Sequence, residues 1–271
     1  MNPLLNVSNL NVTYTDTAIS RRIIEDVSFS VNTATVLAIV GESGSGKTTL
    51  CRALTRLFSQ SSRLKVRGVV QFNSSDLLHC TDEMLRHIRQ TQIRYIFQEP
   101  QQALNPVLTI RRQMEFASGK QSISQDELIP ILNSVGLGDA VGVSNSYPHQ
   151  LSIGMAQRVM IAMTLMPKPS LLIADEPTSA VDASLRYRVL DLLKSFQQQD
   201  RMAMILVTHD LCVARRYADH VAVIQNGRII EYATTNEFFE KPQHPYSQKL
   251  LDAIPSLSKR VIRANNGTAG E

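Results

Sequence analysis

Short apolar runs recur along the chain and predict a series of strands. Residues 36–40 (VLAIV) and 171–174 (LLIA) are continuously apolar, which is the pattern of strands buried on both faces. Residues 5–14 (LNVSNLNVTY) alternate only in part, and a polar loop joins them to a second run. Asn226–Gly227 separates two further apolar runs and indicates a β-hairpin. The predicted strands cover residues 5–14, 23–31, 36–40, 69–72, 93–97, 171–174, 202–207, 221–224 and 228–231.

Apolar residues at helical spacing predict helices between these strands. In the first helix, Leu50, Leu54, Leu57 and Phe58 share one face. Strands that alternate with helices indicate an α/β fold. The other predicted helices cover residues 82–89, 109–117, 125–135, 152–166, 184–196 and 211–218.

Strand signals disappear between residues 99 and 150, where prolines interrupt the sequence, and a helical insertion is predicted there. From about residue 256 the chain lacks periodicity, so we expect this tail to be mobile. The expected domains are a core with an N-terminal antiparallel β subdomain (1–98 and 156–240), a helical subdomain (99–155) and a C-terminal extension (241–271).

Composition places the chain among ordinary soluble globular proteins. Of its 271 residues, 43% are hydrophobic and 19% are charged. No apolar stretch reaches the roughly 20 residues that a membrane span needs, and the N-terminus lacks the pattern of a secretory signal. Cys51, Cys80 and Cys212 are widely spaced, which suits a reducing compartment and predicts no metal cluster.

The net charge of +4 is compatible with a nucleic-acid or membrane-surface role. The basic residues are scattered in short pairs, however, such as Arg21–Arg22 and Arg215–Arg216. We therefore interpret the charge as a solvated surface and expect no nucleic-acid partner.

Residues 41–48 (GESGSGKT) match Gly-x-x-x-x-Gly-Lys-[Ser/Thr], the phosphate-binding loop of nucleotide hydrolases. A predicted buried strand precedes the motif and a predicted helix follows it, which is the context that the motif requires. Glycines let the backbone turn its N–H groups inward, and the helix N-terminus faces the phosphates with partial positive charge. Lys47 would reach the β- and γ-phosphates, and the Thr48 hydroxyl would ligate Mg²⁺. The residues expected to bind the nucleotide here are Gly41, Glu42, Ser43, Gly44, Ser45, Gly46, Lys47, Thr48 and Thr49.

Two carboxylates end the predicted strand at residues 171–176 (LLIADE). In phosphate-loop hydrolases the first carboxylate holds the Mg²⁺ shell, and here that residue is Asp175. Glu176 should project differently and polarise water as a general base. Taken alone, the same pattern would also fit a strand that runs into an acidic turn.

Residues 147–185 (YPHQLSIGMAQRVMIAMTLMPKPSLLIADEPTSAVDASL) resemble the signature-to-Asp-loop region of ATP-binding cassette (ABC) ATPases. The resemblance extends from about Leu4 to Pro255, with the motifs in the order of the family. It implies a phosphate-loop NTPase fold with a RecA-like core, an N-terminal antiparallel β subdomain and a helical insertion. The implied cofactors are ATP and Mg²⁺.

The resemblance also implies roles for single residues. Tyr14 would stack on adenine, although it also fits an ordinary strand tyrosine. Gln98 would touch Mg²⁺ and water and connect to the transport partner. Ser152 and Gly154 would form the signature, which binds the γ-phosphate held by a second copy.

Three further residues complete the implied site. Glu176 would be the catalytic base, and His209 would contact the γ-phosphate. Asp182 would lie between the paired sites, and it also suits an N-cap for the helix that begins near Ser184. Both interpretations of Asp182 can hold together.

Ile153 departs from the family, whose signature usually reads Leu-Ser-Gly-Gly-Gln where this chain has Leu-Ser-Ile-Gly-Met. A β-branched residue disfavours positive φ and crowds a closely approaching phosphate. We therefore expect Ile153 to weaken the contact that this chain makes with its partner's nucleotide.

Residues 96–106, 151–162 and 244–255 resemble the peptide/nickel branch of bacterial importers. The chain lacks the cysteine-rich C-terminal segment of many oligopeptide-type members, which weakens an oligopeptide assignment and leaves a dipeptide-, nickel- or metal-chelate-type importer open. The branch implies an ATPase at the cytoplasmic face of the inner membrane. Its partners would be a second homologous ATPase, two integral membrane permease subunits and, indirectly, an extracellular solute-binding protein.

Two other function classes compete with an importer. A non-transport cassette of translation or DNA repair tends to carry two cassettes or a long coiled coil, and this sequence has one phosphate loop. A nonhydrolytic regulator is disfavoured by Glu176 and His209.

Apolar residues after Gln98 leave a further alternative open. They would form either an exposed groove for a short cytoplasmic helix or the small core of the insertion itself. These residues are Leu104, Val107, Leu108 and Ile110.

Overall fold

The structure is a computed structural model that describes residues 3–16, 20–58, 63–98, 104–179 and 183–253. The chain forms two compact units. The first consists of Met1–His79 and Leu206–Glu271, and the second consists of Cys80–Ile205.

Strands and helices alternate over most of the described residues. The strands are β1 (Leu5–Thr15), β2 (Ser20–Val31), β3 (Val36–Val40), β4 (Leu64–Phe72), β5 (Ser75–Asp76), β6 (Ile93–Ile96), β7 (Leu171–Asp175), β8 (Ala203–Thr208), β9 (His220–Gln225) and β10 (Arg228–Thr234). The helices are α1 (Lys47–Leu54), α2 (Asp82–Thr91), α3 (Ile110–Ser118), α4 (Gln125–Ser134), α5 (Ala140–Asn145), α6 (Ile153–Leu165), α7 (Ala183–Gln199), α8 (Leu211–Tyr217), α9 (Thr235–Glu240) and α10 (Pro245–Asp252).

An antiparallel sheet in the order β2-β1-β4-β5 opens the first unit. Its central strand, β1, pairs Val7 with Phe29 on one side and with Val70 on the other. A bulge after Val7 places Asn9 at a φ of 48°. The extra residue shifts the buried positions from Leu5 and Val7 to Leu10 and Val12. This shift is the physical reason why the sequence of β1 alternates only in part.

Strands β3, β9 and β10 supply a second sheet segment to the first unit. All five residues of β3 are buried, and β3 pairs in parallel with β9 through Ala38 and Val221. The predicted hairpin is confirmed, because β9 and β10 are antiparallel and Asn226 and Gly227 have φ values of 49° and 78°. Helices α8 and α9 cover this segment with Leu211, Ala214 and Phe238, among other apolar residues. Strand β8 begins in the second unit and ends in the first.

The second unit combines a parallel strand pair with helices. Strands β6 and β7 are in parallel register from Ile93–Leu171 to Ile96–Ala174. Helix α6 is buried along most of its length, because apolar residues occupy nearly all of its faces. The predicted helical character of residues 104–150 is confirmed where the structure describes them, since they form α3, α4 and α5.

Several predicted bounds are wrong. Helix α1 ends at Leu54, so Leu57 and Phe58 lie beyond it, and Arg56 adopts a φ of 52° in the turn. Strand β4 begins at Leu64 rather than at residue 69, because its first half is a mostly exposed, polar stretch with weak strand signals. Helices α5, α9 and α10 were not predicted.

The α/β fold class with an N-terminal antiparallel sheet is confirmed. The expected domain bounds at 99–155 and 241–271 stay predictions, and the tail from about residue 256 lies outside the described residues. Among the described residues, no helix is both long enough and apolar enough to cross a membrane.

Candidate nucleotide-binding site

The phosphate loop connects buried strand β3 to helix α1 in the predicted context. Gly44 and Gly46 have φ values of 78° and 106°, in the region that favours glycine. A Cβ on Gly46 would stand 2.8 Å from Ile24 Cδ1, and one on Gly41 would stand 2.2 Å from the carbonyl oxygen of Ile224. Close approach of the Ile224 backbone therefore requires glycine at position 41, and the positive φ favours glycine at position 46.

Lys47 is the first residue of α1 and lies folded over the loop. Its Nζ donates hydrogen bonds to the carbonyl oxygens of Gly41 at 2.9 Å and Glu42 at 2.8 Å. The side chain is 5% exposed. The loop thus holds a buried ammonium group at its own backbone, which suits the binding of a polyanion.

The N-terminus of α1 carries Thr48 and Thr49. Gly46 is its N-cap and supplies no side-chain hydrogen bond, and the first turn contains no acidic residue. No carboxylate within the helix's own first turn offsets the partial positive charge of this end, as expected of an anion-binding helix terminus.

Two contacts that the sequence did not reveal support the loop. Gly227 N–H, in the β9–β10 turn, donates to the carbonyl oxygen of Ser45 at 3.0 Å. Glu42 N–H donates to the hydroxyl oxygen of Tyr246, in α10, at 3.3 Å. The Asn-Gly pair was a detectable signal for the turn, but its contact with the loop depends on the pairing of distant strands.

His209 and Tyr14 also belong to the first unit. His209 is exposed and lies between β8 and α8. Its neighbours fix the turn, because Asp210 N–H donates to Thr208 Oγ1 at 3.0 Å and Cys212 N–H donates to Asp210 Oδ1 at 2.9 Å. Tyr14 lies near the end of β1, is 36% exposed and is in register with Arg21.

The adjacent carboxylates of the second unit have different environments. Asp175 is the last residue of β7 and is 2% exposed, and its Oδ2 accepts a hydrogen bond from the Tyr95 hydroxyl at 2.7 Å. Glu176 is only partly buried and has a φ of 46°, a left-handed conformation that is unusual outside glycine. The turn out of β7 therefore changes the direction of the chain between the two side chains.

Two side-chain hydrogen bonds fix the segment that follows Glu176. Gln157, a buried residue of α6, donates its Nε2–H to the carbonyl oxygen of Pro177. Ser179 Oγ–H donates to the carbonyl oxygen of Gln98 at 3.2 Å, and the Gln98 side chain is exposed. No local sequence pattern indicates the distant partners of Tyr95, Gln157 and Ser179, so these residues were not among the predicted site residues.

The signature residues lie at the start of α6. Ser152 is the N-cap, and its Oγ accepts a hydrogen bond from Met155 N–H at 3.2 Å. Ile153 is the first helical residue and is 48% exposed, and Gly154 follows it within the helix. The premise that position 153 requires positive φ is therefore wrong. Asp182 lies outside the described residues, immediately before α7 begins at Ala183.

The apolar residues after Gln98 divide between the two alternatives of a docking groove and an internal core. Leu104 and Ile110 are buried, at 4% and 0% exposure, because they pack inside the second unit. Val107 is 75% exposed, and Leu108 is partly buried. Of these four residues, Val107 remains the strongest candidate for an exposed contact.

The chain has a glycine loop between a buried strand and a helix, and it has adjacent carboxylates at the end of another buried strand. Together these features define a phosphate-loop nucleotide-binding protein. The model of the ABC transporter family matches residues 24–179. The chain belongs to the ABC transporter family. Residues 230–269 match a second model, described as the oligopeptide/dipeptide transporter C-terminal region. We expected the C-terminal sequence to weaken an oligopeptide assignment, and this match supports a relationship to oligopeptide/dipeptide transporters instead.

Curated relatives from Escherichia coli K12 include three ATP-binding proteins. The chain is 40% identical over 258 residues to the uncharacterized ABC transporter ATP-binding protein YejF, covering 93% of the chain and 49% of the relative. The dipeptide transport ATP-binding protein DppD is 38% identical over 261 residues, with coverage of 94% and 80%. The glutathione import ATP-binding protein GsiA is 39% identical over 264 residues, with coverage of 94% and 42%. The chain thus spans less than half of YejF and GsiA and most of DppD.

Solved ABC cassettes share the fold. The ATP-binding cassette MJ0796, in a dimeric post-hydrolysis state bound to ADP and Pi, has a TM-score of 0.74 at 26% identity, covering 85% of this chain and 98% of that one. CbiO1 from Clostridium perfringens, part of the CbiONQ transporter complex, has a TM-score of 0.73 at 24% identity, covering 97% and 100%.

Proposed function

We propose that this chain is the ATP-hydrolysing subunit of a bacterial importer of small peptides. One observation carries the proposal: the chain joins an ABC cassette at residues 24–179 to an oligopeptide/dipeptide transporter C-terminal region at residues 230–269. The relatives DppD and GsiA are named for dipeptide transport and glutathione import, and both cargoes are small peptides.

The phosphate loop binds the polyphosphate of ATP in this proposal. Its backbone N–H groups and the N-terminus of α1 face the phosphates. The Lys47 ammonium gives up its hydrogen bonds to the loop carbonyl oxygens and forms hydrogen bonds to phosphate oxygens. Tyr14 stacks on the adenine ring. Both groups belong to the first unit.

Thr48, Gln98 and Asp175 would hold Mg²⁺. A hydroxyl, an amide oxygen and a carboxylate are hard oxygen ligands of the kind that this ion prefers, so the donor set fits. When bound, the ion neutralises charge on the β- and γ-phosphates. Glu176 accepts a proton from the attacking water, and His209 contacts the γ-phosphate.

Hydrolysis in this scheme requires two ATPase chains. Ser152 and Gly154 lie at the N-terminus of α6, whose helix dipole favours an anion, so they would complete the site on a homologous partner. Asp182 would lie between the paired sites. The pair would bind two integral membrane permease subunits at the cytoplasmic face of the inner membrane, and an extracellular solute-binding protein would deliver the cargo.

An uptake assay in cells tests this function. Cells that lack the chain are complemented with the wild-type chain, with Glu176→Gln or with Lys47→Ala, and uptake of a labelled dipeptide and of labelled nickel is measured. We expect dipeptide uptake with the wild-type chain alone and nickel uptake that is independent of it. The wild-type chain should also purify from detergent extracts with two integral membrane proteins. If only nickel uptake depended on the chain, the cargo would be nickel and not small peptides. Purification with ribosomes or DNA-repair proteins, in place of two integral membrane proteins, would refute the importer function.

A further inference from the structure

Tyr95 reaches the end of the neighbouring strand with its hydroxyl. In the parallel register of β6 and β7, Tyr95 lies beside Ile173. Residues two apart in a strand share one face of the sheet, so Asp175 lies on the same face as Ile173. The Tyr95 ring spans this distance, and its hydroxyl donates to Asp175 Oδ2 at 2.7 Å.

Both partners of this bond are withdrawn from water. Tyr95 is 9% exposed and Asp175 is 2% exposed. A buried hydroxyl requires a hydrogen-bond partner, and here the partner is a carboxylate. Hydrogen bonds from a neutral donor to an ionised acceptor are short and stronger than those between neutral groups. Phenylalanine would keep the ring contact with Phe97, whose centroid lies 4.6 Å away, but would lose this bond.

We propose that Tyr95 is a positioning residue for Asp175, and that it holds the carboxylate in the orientation that binds Mg²⁺. The assignment rests on the proposed role of Asp175 in ATP hydrolysis. An ionised carboxylate offers two oxygens with about four lone-pair sites. A hydrogen bond to Oδ2 therefore fixes the side-chain torsion and leaves acceptor capacity for a cation.

The hydrogen bond from Tyr95 restrains Asp175 at the point where the strand ends in a turn. Glu176 departs from strand geometry with a φ of 46°, so the regular pleat of β7 ends at Asp175. Gln157 holds the segment beyond the turn through the carbonyl oxygen of Pro177. Tyr95 acts on the other side of the turn, at the carboxylate itself.

The test is a titration of ATP binding with Mg²⁺, using a fluorescent ATP analogue and purified full-length chain. We expect Tyr95→Phe to raise the Mg²⁺ concentration for half-maximal binding about tenfold, which corresponds to about 1.4 kcal/mol. Binding of the analogue without Mg²⁺ should be unchanged, because the phosphate loop is untouched. The matched control is Tyr232→Phe, which removes a hydroxyl bonded to the Ser30 carbonyl oxygen at 3.0 Å and should leave the Mg²⁺ dependence unchanged.

A double-mutant cycle separates positioning from general packing. In an Asp175→Ala background, Tyr95→Phe should change the Mg²⁺ dependence by less than twofold, because the acceptor of the Tyr95 hydroxyl is already gone. An equal shift in both backgrounds, or no shift in the wild-type background, overturns the assignment. If the tenfold shift occurs but uptake of peptides does not depend on the chain, the positioning role stands and the proposed function fails.

Discussion

The backbone N–H of Glu42 in the phosphate loop donates to the hydroxyl oxygen of Tyr246 at 3.3 Å, so the C-terminal helix α10 touches the loop. Buried Glu231 fixes the approach to this helix, because its carboxylate accepts hydrogen bonds from Gln243 N–H at 2.8 Å and His244 N–H at 3.0 Å. Burial raises the pKa of the Tyr246 phenol above its ordinary value. The segment that matches the oligopeptide/dipeptide C-terminal region thus supports the candidate nucleotide site.

The first prediction concerns this contact. Tyr246→Phe should weaken ATP binding about fivefold, because one neutral hydrogen bond contributes about 1 kcal/mol to holding the loop. Equilibrium binding of ATP with saturating Mg²⁺ measures the change. Tyr232→Phe is the control, since it loses a tyrosine hydroxyl bond elsewhere in the same unit. Equal affinity of Tyr246→Phe and the wild-type chain would show that α10 does not support the loop.

Local sequence patterns were sufficient for the parts of the site that depend on consecutive residues. The phosphate loop lies between a buried strand and a helix, and Asp175 ends a buried strand, because glycine spacing and apolar runs directly encode these features. The hairpin at Asn226–Gly227 was predictable for the same reason. Its N–H contact with Ser45 was not, since that bond depends on how distant segments pack.

Contacts across the sheet escaped prediction for a related reason. The bond from Tyr95 to Asp175 depends on the register of two strands that are far apart in sequence, and no local pattern specifies that register. Helix α9 is a different case, because Thr234 and Glu237 form a capping box that a search for helix starts could have detected.

The second prediction concerns Glu176. Glu176→Gln should keep ATP binding but slow single-turnover hydrolysis at this chain's site at least about 100-fold, because an amide does not accept the proton of the attacking water. Lys47→Ala should instead weaken ATP binding itself. Nucleotide affinity and single-turnover hydrolysis are measured for both variants.

Backbone strain does not confound this comparison. The left-handed conformation at Glu176 costs on the order of 1–3 kcal/mol for any residue with a side chain, and glutamine bears the same cost as glutamate. Thermal unfolding should therefore be nearly unchanged in Glu176→Gln. Full hydrolysis by this variant at its own phosphate loop would rule out Glu176 as the base.

The third prediction locates the contact with the membrane subunits. With Cys80 and Cys212 replaced by serine, Val107→Cys should crosslink to a permease subunit, because Val107 is 75% exposed after the Gln98 segment. Leu104→Cys should crosslink poorly, since that position is 4% exposed. Lys249→Cys, at an exposed position of α10, is the control for nonspecific labelling. Crosslinks from Lys249→Cys alone would place the membrane contact elsewhere.

The fourth prediction concerns Ile153 and the partner's ATP site. Ile153 is helical and half exposed beside Ser152, so it would hinder an approaching phosphate by its bulk and not by its backbone conformation. Replacing it should therefore accelerate hydrolysis at the partner's phosphate loop, up to about tenfold if one charge-assisted hydrogen bond is strengthened in the transition state. Hydrolysis at this chain's own phosphate loop should barely change.

Comparison of Ile153→Ala with Ile153→Gly distinguishes the two physical causes. Alanine removes most of the bulk, and it loses less backbone freedom than glycine when the helix forms. If bulk is the cause, the two variants should accelerate the partner's site to a similar degree, with alanine the more stable protein. Acceleration by glycine alone would indicate that the bound state needs a backbone conformation other than the helical one. Single-turnover hydrolysis, with the catalytic glutamate of either chain replaced in turn, resolves the two sites. Acceleration at neither site, or at the Glu176 site alone, would show that Ile153 is a tolerated packing substitution without a role in asymmetry.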